Sequence, residues 1–383
     1  MRVAILVPDN RDELGRYDDP HPFFGQALTA LLDGLVEESG CEVHLVCCTH
    51  RPLAAPARIA PNLFYHAVLV RDWGWLRAGY AGCVWAIRRK LRDIRPDIVH
   101  GQGTERYCAL AAALSGFPNV VTIHGNMRSV ARKQRPRPFS YGWLAARLEA
   151  FALPRTLGVF CNSAYTEGEV RPLAQRVWRV PNALRKEFFA TPLPPPAPVQ
   201  RPVLLNIGTV LPYKHQVEVL AVARQLHERG CCFEMQFLGE LSDTPYANEF
   251  RARLAEAEKQ GFARYAGLKG TGDLIRCLDG AAAMVHCASE EAFGLVVAEA
   301  LARNLKFFGA RTGGVVDIAS GVEGAELFDP GDWRALESAL EIWLRAGGAR
   351  PAGAAATIRS RYHPQVVGRR HCEIYAELLS TRS

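Results

Sequence analysis

The residues best placed to do chemistry stand in Ser289-Glu290-Glu291-Ala292-Phe293-Gly294-Leu295-Val296-Val297-Ala298-Glu299-Ala300-Leu301. This stretch follows an apolar run and then takes on a helical pattern. Phe293, Gly294 and Leu295 are expected in the first turn of a helix, where free backbone N–H groups and the positive end of the dipole attract anions. Glycine at 294 would let a phosphate approach the backbone closely. Glu291 falls just before the helix. Glu299 lies inside it among residues that are apolar nearly all round, so the helix is expected to be buried. A lone carboxylate there needs a polar partner. The plain alternative makes Glu299 exposed and leaves Glu290 and Glu291 as solvated acids near a helix start. A second feature is Gly208-Thr209-Val210-Leu211-Pro212-Tyr213-Lys214, which places a lysine at the end of a loop. Lys214 offers a point charge at the end of that loop, or is an ordinary solvated lysine.

The elements that would carry these residues alternate. Strands are expected over 3–7, 42–48, 64–70, 97–100, 120–124 and 158–162, with helices such as 24–38 and 75–93 between them. Continuous apolar strands separated by helices predict parallel sheets covered on both faces. The proline-rich run from Thr191 to Pro198 cannot continue a helix or a central strand and reads as a stiff linker. Beyond it the alternation resumes. Strands are expected over 203–207, 233–238, 263–267, 282–287 and 305–308, with helices over 215–228, 247–260, 293–302 and 333–346. The chain therefore reads as α/β, with two doubly wound, Rossmann-like domains. These are an N-terminal domain (1–190), a linker (191–201), a second domain (202–362), and a terminal helical segment (363–383) that could return to the first domain. Such sheets bind ligands at the carboxyl ends of their strands, and a tandem pair suggests a cleft between the two.

Composition narrows the classes. The 383 residues are 49% hydrophobic and 22% charged, enough apolar material for large cores rather than disorder. The 11 cysteines are an odd number without a C-x-x-C pair, which argues against a disulfide scaffold or a zinc ribbon and suits a reducing cytoplasm. No apolar run approaches the ~18–20 residues needed to span a bilayer. The first strand is followed by Val7-Pro8-Asp9-Asn10, with no G-x-G-x-x-G turn, which disfavours a dinucleotide dehydrogenase.

Glu291-x7-Glu299 with Phe-Gly after the first glutamate resembles the E-x7-E signature of family-4 retaining glycosyltransferases of GT-B fold. Arg311-Thr312-Gly313-Gly314, the 206–214 loop, Val180-Pro181-Asn182-Ala183, Asp97-Ile98-Val99-His100 and Val121-Thr122-Ile123-His124 resemble further segments of that family, in order along the chain. The resemblance implies transfer of a sugar from a nucleotide diphosphate sugar, a co-substrate rather than a cofactor. It implies that Lys214 and the Phe293–Leu295 amides hold the diphosphate, Glu299 the ribose, Glu291 the donor-sugar hydroxyls, and His124 the donor sugar near the reaction centre. His100 is a second, weaker histidine in the same comparison. Thr209 stands where the family usually has the diphosphate-binding arginine, Ala183 replaces a glycine, and Asp317 replaces a glutamate. The usual Gly-Gly loop after the first strand is missing; Gly25 is expected to supply that turn, with Gln26 beside it on the acceptor side. No Asp-x-Asp pair suggests a metal site, so no metal is expected.

Residues 1–185 carry net charge +8 and the remainder −1, so the basicity belongs to the acceptor-side domain. It gathers in 77–92, among Trp73, Trp75 and Trp85, and in Arg128, Arg132, Lys133, Arg135 and Arg137. Basic faces interleaved with aromatics suit an anionic membrane surface or a lipid-phosphate acceptor; a solvated helix face and a loop are the plain alternative. No nucleic-acid module is recognisable. The sequence thus predicts a cytoplasmic enzyme, peripheral at the inner face of a membrane, that builds a polysaccharide, lipopolysaccharide or glycolipid. A nucleotide-sugar epimerase of the same fold and a non-catalytic sugar-nucleotide-binding protein are the alternatives.

Overall fold

A computed structural model of the chain describes residues 1–193 and 201–381. Most of the expected proline-rich linker lies outside the described residues. The chain forms two compact units, Met1–Arg185 with Tyr362–Ser383, and Lys186–Arg361. The first boundary falls a few residues ahead of the prolines for a physical reason. The buried Arg303 pairs with Asp279 and donates to the carbonyls of Phe188, Thr191 and Pro192, tying that segment to the second unit.

In the first unit the strands are β1 (Arg2–Leu6), β2 (Glu42–Thr49), β3 (Arg58–Ala60), β4 (Leu63–Leu69), β5 (Ile98–Gln102), β6 (Asn119–Ile123), β7 (Val159–Cys161) and β8 (Val177–Arg179). They form one sheet in the order β3-β4-β2-β1-β5-β6-β7-β8, parallel except for β3. Successive residues of a strand face opposite sides. Thus Leu6 and Val46 join Ile87 and Leu91 of the helix Ala81–Ile94 on one face, while Ile5 and Leu45 join Leu31 and Tyr375 on the other. The terminal helix Pro364–Ser380 lies against the helix Gln26–Val36 at a glycine contact. A Cβ on Gly34 would fall 2.0 Å from the Pro364 carbonyl oxygen.

The second unit holds β9 (Val203–Ile207), β10 (Glu234–Leu238), β11 (Ala263–Gly267), β12 (Ala283–His286), β13 (Lys306–Ala310) and β14 (Ala325–Phe328). Its sheet runs β11-β10-β9-β12-β13-β14 and is wholly parallel. The strands missing from the sequence reading, β3, β8 and β14, are all at sheet edges. They span three, three and four residues, too few to show a period. The helix expected over 75–93 begins only at Ala81. Gly79 and Tyr80 both take left-handed backbone (φ 57° and 63°), which ends the preceding turns and cannot propagate a helix.

Among the parallel strands of each sheet the order reverses once, between β1 and β5 and between β9 and β12. Loops that leave adjacent strands in opposite directions open a crevice at such a point. In the first unit the loop after β1 is held by a buried polar clip rather than by glycines. Arg11 and Asp9 pair at 2.8 Å, both inaccessible to solvent, and the Tyr65 hydroxyl donates to Asp9 at 2.8 Å. Arg11 also donates to the Ala54 carbonyl at 2.9 Å. The turn expected of Gly25 is therefore not needed: its φ is −61°, ordinary for any residue, and open space surrounds it. Replacing Arg11 with Met would leave Asp9 buried without its cation. Urea denaturation is expected to show a loss of about 3–5 kcal/mol; a loss under ~1 kcal/mol would mean that the loop is held elsewhere.

Candidate active site

Two loops flank the reversal point of the second sheet. The loop after β9 ends in a short turn, Pro212–Lys214, and the loop after β12 carries Glu291. They are tied together by the backbone N–H of Ser289, which donates to the Tyr213 carbonyl at 2.8 Å. Lys214 Nζ then lies 2.6 Å from Glu291 Oε2. His286, at the end of β12, places Nε2 3.2 Å from the same oxygen. The lysine and glutamate side chains are 15% and 18% exposed, so the pair sits at a rim, with the histidine beneath it.

Burial disfavours the charged carboxylate, yet the hydrogen bond to His286 and the charge of Lys214 outweigh it and hold Glu291 down to about 2. Burial pushes the His286 imidazole below its ordinary value, so at neutral pH it is uncharged and serves Glu291 as an N–H donor. The loop after β9 is braced from within by buried Gln216, whose amide donates to the Thr209 carbonyl at 3.0 Å and accepts from the Leu211 N–H at 3.3 Å. The loop after β13 presses on the backbone of Glu291. Gly314 N–H donates to the Glu291 carbonyl at 2.9 Å. A Cβ on Gly313 (φ 47°) would stand 1.8 Å from that carbonyl oxygen. The two glycines therefore serve the close approach of two loops.

The helix that follows begins at Leu295, not at Phe293. Gly294 caps it with φ 103°, and Phe293 is buried in the core before it. The first turn expected from Phe293 thus starts two residues later, because a left-handed residue cannot be the second of a helix. Glu299 is 2% exposed, which removes the reading of it as a surface residue. Arg311 turns to Asp329 and the Leu327 carbonyl at the end of β14.

In the first unit, His124 follows β6. Its Nε2 lies 2.9 Å from Gln102 Oε1, at the end of the neighbouring β5. A carboxamide oxygen only accepts, so this nitrogen carries the proton and Nδ1 presents the lone pair. Burial lowers the His124 pKa, with Glu105 opposing, so the ring is neutral near pH 7. His100 lies deeper, wholly buried between Tyr375 and Thr122, and is a core histidine. The loop carrying His124 is clasped by Glu149, which sequence reasoning missed. This fully buried carboxylate accepts from the Thr104 hydroxyl (2.6 Å) and from the N–H groups of Met127 (2.9 Å) and Arg128 (3.1 Å). Only its place in the apolar helix Tyr141–Ala152 could have signalled it. Gly25 and Gln26 are exposed, at the cap and first position of the helix after the β1 loop.

A family model described as Glycosyltransferase Family 4 matches residues 25–188, and one described as Glycosyl transferases group 1 matches residues 193–355. The chain belongs to these glycosyltransferases. Its fold is GT-B, as in the sucrose-phosphate synthase of Thermosynechococcus elongatus, with TM-score 0.74, 15% identity and 100% of each chain covered. Anabaena HepE, solved in complex with UDP and glucose, gives TM-score 0.71 at 14% identity, covering 98% of this chain and 100% of that one. The lipopolysaccharide outer core galactosyltransferase WaaB gives 0.69 at 15% identity with the same coverage. Among curated proteins none matches. At these identities the solved structures establish the fold alone. Of the residues expected at the donor site of this glycosyltransferase, the structure brings Lys214 and Glu291 into direct contact. Thr209 lies in the same loop as Lys214, with its carbonyl turned to Gln216.

Two measurements follow. A carboxyl held at about 2 against an ordinary 4.5 stabilises the fold fully above about pH 4.5 and loses that contribution as pH falls toward 2. Lys214→Met is thus expected to lower Tm at pH 7, with the gap to the unmodified protein narrowing as pH falls from about 4.5 toward 2; a gap independent of pH would contradict the pairing. For His124, side-chain ¹⁵N NMR is expected to show the Nε2–H tautomer, shifting toward Nδ1–H in Gln102→Leu.

Proposed function

We propose that this glycosyltransferase moves a hexosyl group from a nucleotide diphosphate sugar to a hydroxyl of a saccharide or glycolipid acceptor, with retention of anomeric configuration. The reading serves cell-surface polysaccharide or lipopolysaccharide synthesis. The observation that carries it is the Lys214–Glu291–His286 cluster at the reversal point of the second sheet. There a cation and a carboxylate neutralise each other until a ligand offers both of them better partners. A diphosphate would draw Lys214, freeing Glu291 to accept from sugar hydroxyls. The solved complex of HepE with UDP and glucose supports a nucleotide-sugar donor for this fold.

In the reaction, the bond from the anomeric carbon to the diphosphate breaks and the acceptor oxygen bonds to that carbon. The acceptor proton leaves with the departing phosphate. Charge therefore develops on the diphosphate while the sugar becomes oxocarbenium-like, and positioning with electrostatic stabilisation does most of the catalysis. Lys214 supplies the countercharge without a metal, and the Gly294 and Leu295 amides add donors from the backbone. Glu299 takes the ribose hydroxyls. His124, neutral and with the lone pair on Nδ1, accepts from a donor-sugar hydroxyl. Thr209, in place of arginine, leaves the diphosphate with one fewer cation.

The reading also places the enzyme in the cytoplasm, against the inner face of an anionic membrane. No helix among the described residues is long and apolar enough to cross one. In support, Trp85, Arg88, Arg89 and Arg92 form one exposed stripe of the helix Ala81–Ile94, beside a groove of about 610 Å³ floored by Val84, Leu110 and Leu114. Arg128, on the second basic segment, belongs to the acceptor side of this reading.

Glu291→Gln and Lys214→Ala are each expected to lower sugar transfer by at least a hundredfold, with the circular dichroism of the fold retained and EDTA without effect. Unchanged turnover in both would overturn the site. Product analysis separates transfer from epimerisation. Co-sedimentation with phosphatidylglycerol vesicles, lost on Arg88→Glu/Arg92→Glu, checks the membrane surface.

A further inference from the structure

The first sheet presents a second constellation at its carboxyl edge that no motif signalled. His50 directly follows β2, and Asp12 lies in the short helix after β1. Asp12 Oδ2 is 2.7 Å from His50 Nδ1, and Asp12 Oδ1 accepts the His50 backbone N–H at 2.8 Å. One face of the imidazole lies on the Trp75 indole, with centroids 3.8 Å apart and the planes 9° from parallel. The indole is itself fixed, since its N–H donates to the Val70 carbonyl at 3.1 Å. The carboxylate of Asp12 is 9% exposed, whereas the His50 side chain is 40% exposed.

An exposed ring held by a hydrogen bond and a stacking partner, on a backbone whose N–H the same carboxylate accepts, has lost the rotational freedom that a surface histidine normally keeps, which costs free energy. In the neutral ring, with Nδ1 donating to Asp12, Nε2 carries the lone pair, and it makes no hydrogen bond among the described residues. The arrangement is a hydrogen-bond acceptor oriented in advance. It stands one strand from the β1/β5 reversal point, where Glu13 and Arg106 pair at 2.6 Å across the two loops. His124 stands one strand beyond that point on the other side. Three strand spacings separate β2 from β6, about 14 Å along the edge, a span that a ligand of two or three sugar rings covers.

We propose that His50, oriented by Asp12 and Trp75, binds a hydroxyl group of the saccharide acceptor through Nε2. The proposal rests on the glycosyl-transfer reading for the identity of the ligand. A neutral hydroxyl fits better than a phosphate, because the Asp12 carboxylate lies directly behind the ring and disfavours a second anion.

The test uses the full chain with UDP-glucose as donor probe and glucose, galactose and maltose as saccharide probes. UDP release is measured with and without each saccharide. His50→Phe keeps the stack on Trp75 and removes both ring nitrogens. The ratio of saccharide-stimulated to saccharide-independent release is expected to fall at least tenfold, with the saccharide KM rising more than kcat falls. Asp12→Asn is expected to give an intermediate loss. A ratio within twofold of the unmodified enzyme overturns the proposal. The side-chain ¹⁵N signal of His50 is followed as the same saccharides are added. A shift confined to His50 Nε2 supports the assignment even if no donor is turned over, and no shift with any saccharide overturns it. Failure of the glycosyl-transfer reading appears separately, as absence of UDP release under every condition.

Discussion

Parallel strands all end on one edge of their sheet, and in each unit their order reverses once along that edge. That constraint governs where chemistry can occur. At the reversal, loops from neighbouring strands diverge, so polar side chains from distant parts of the sequence can meet without unpairing any strand. Lys214 and Glu291 are 77 residues apart, yet they come from the two loops that flank such a point. The rest of the second unit keeps these loops in place. Gln216 stitches one from inside, Ser289 joins it to the other, and Gly313 and Gly314 let a third loop press against the Glu291 backbone.

The same edge in the first unit is built with buried charge. Asp9 with Arg11 and the clasp around Glu149 each hold a strand-end loop by saturating an ionisable group with hydrogen bonds. Such groups are costly to bury and gain little net stability from pairing. What they add is a fixed loop geometry, because removing any one partner strands the others. This is a different solution from glycine turns, which permit a tight path but do not lock it. It accounts for a first-strand loop that lacks the expected Gly-Gly sequence while remaining ordered.

Electrostatics at the Lys214–Glu291–His286 cluster follow from a balance of opposed effects. Burial alone would raise Glu291 and lower His286. The hydrogen bond from His286 and the charge of Lys214 together reverse the first effect, and the lysine reinforces the second, leaving a charged carboxylate above a neutral imidazole. A site so arranged keeps its two formal charges at its rim and its uncharged donor beneath. In the proposed reaction an incoming diphosphate sugar would exchange one ion pair for another with little reorganisation of the protein.

The alternation of apolar strands with amphipathic helices determined the doubly wound architecture, because burial on both faces of a parallel sheet leaves a period that survives in one dimension. Glu291, Glu299, Lys214 and His124 could be singled out as candidates for a related reason: each sits in a short segment whose local pattern of strand end, loop and helix is visible without knowing its neighbours. The edge strands β3, β8 and β14 were not, since three or four residues show no period. Nor were Glu149, Asp12 and His50, whose roles arise from contacts with residues distant in the sequence, or His286 and Gln216, whose contacts depend on how their own loops fold. A histidine at the end of an apolar run looks the same in sequence whether it meets a carboxylate, as His286 and His50 do, or a tyrosine in the core, as His100 does. Strand order decides between these, and strand order is set by long-range packing that no local spacing records.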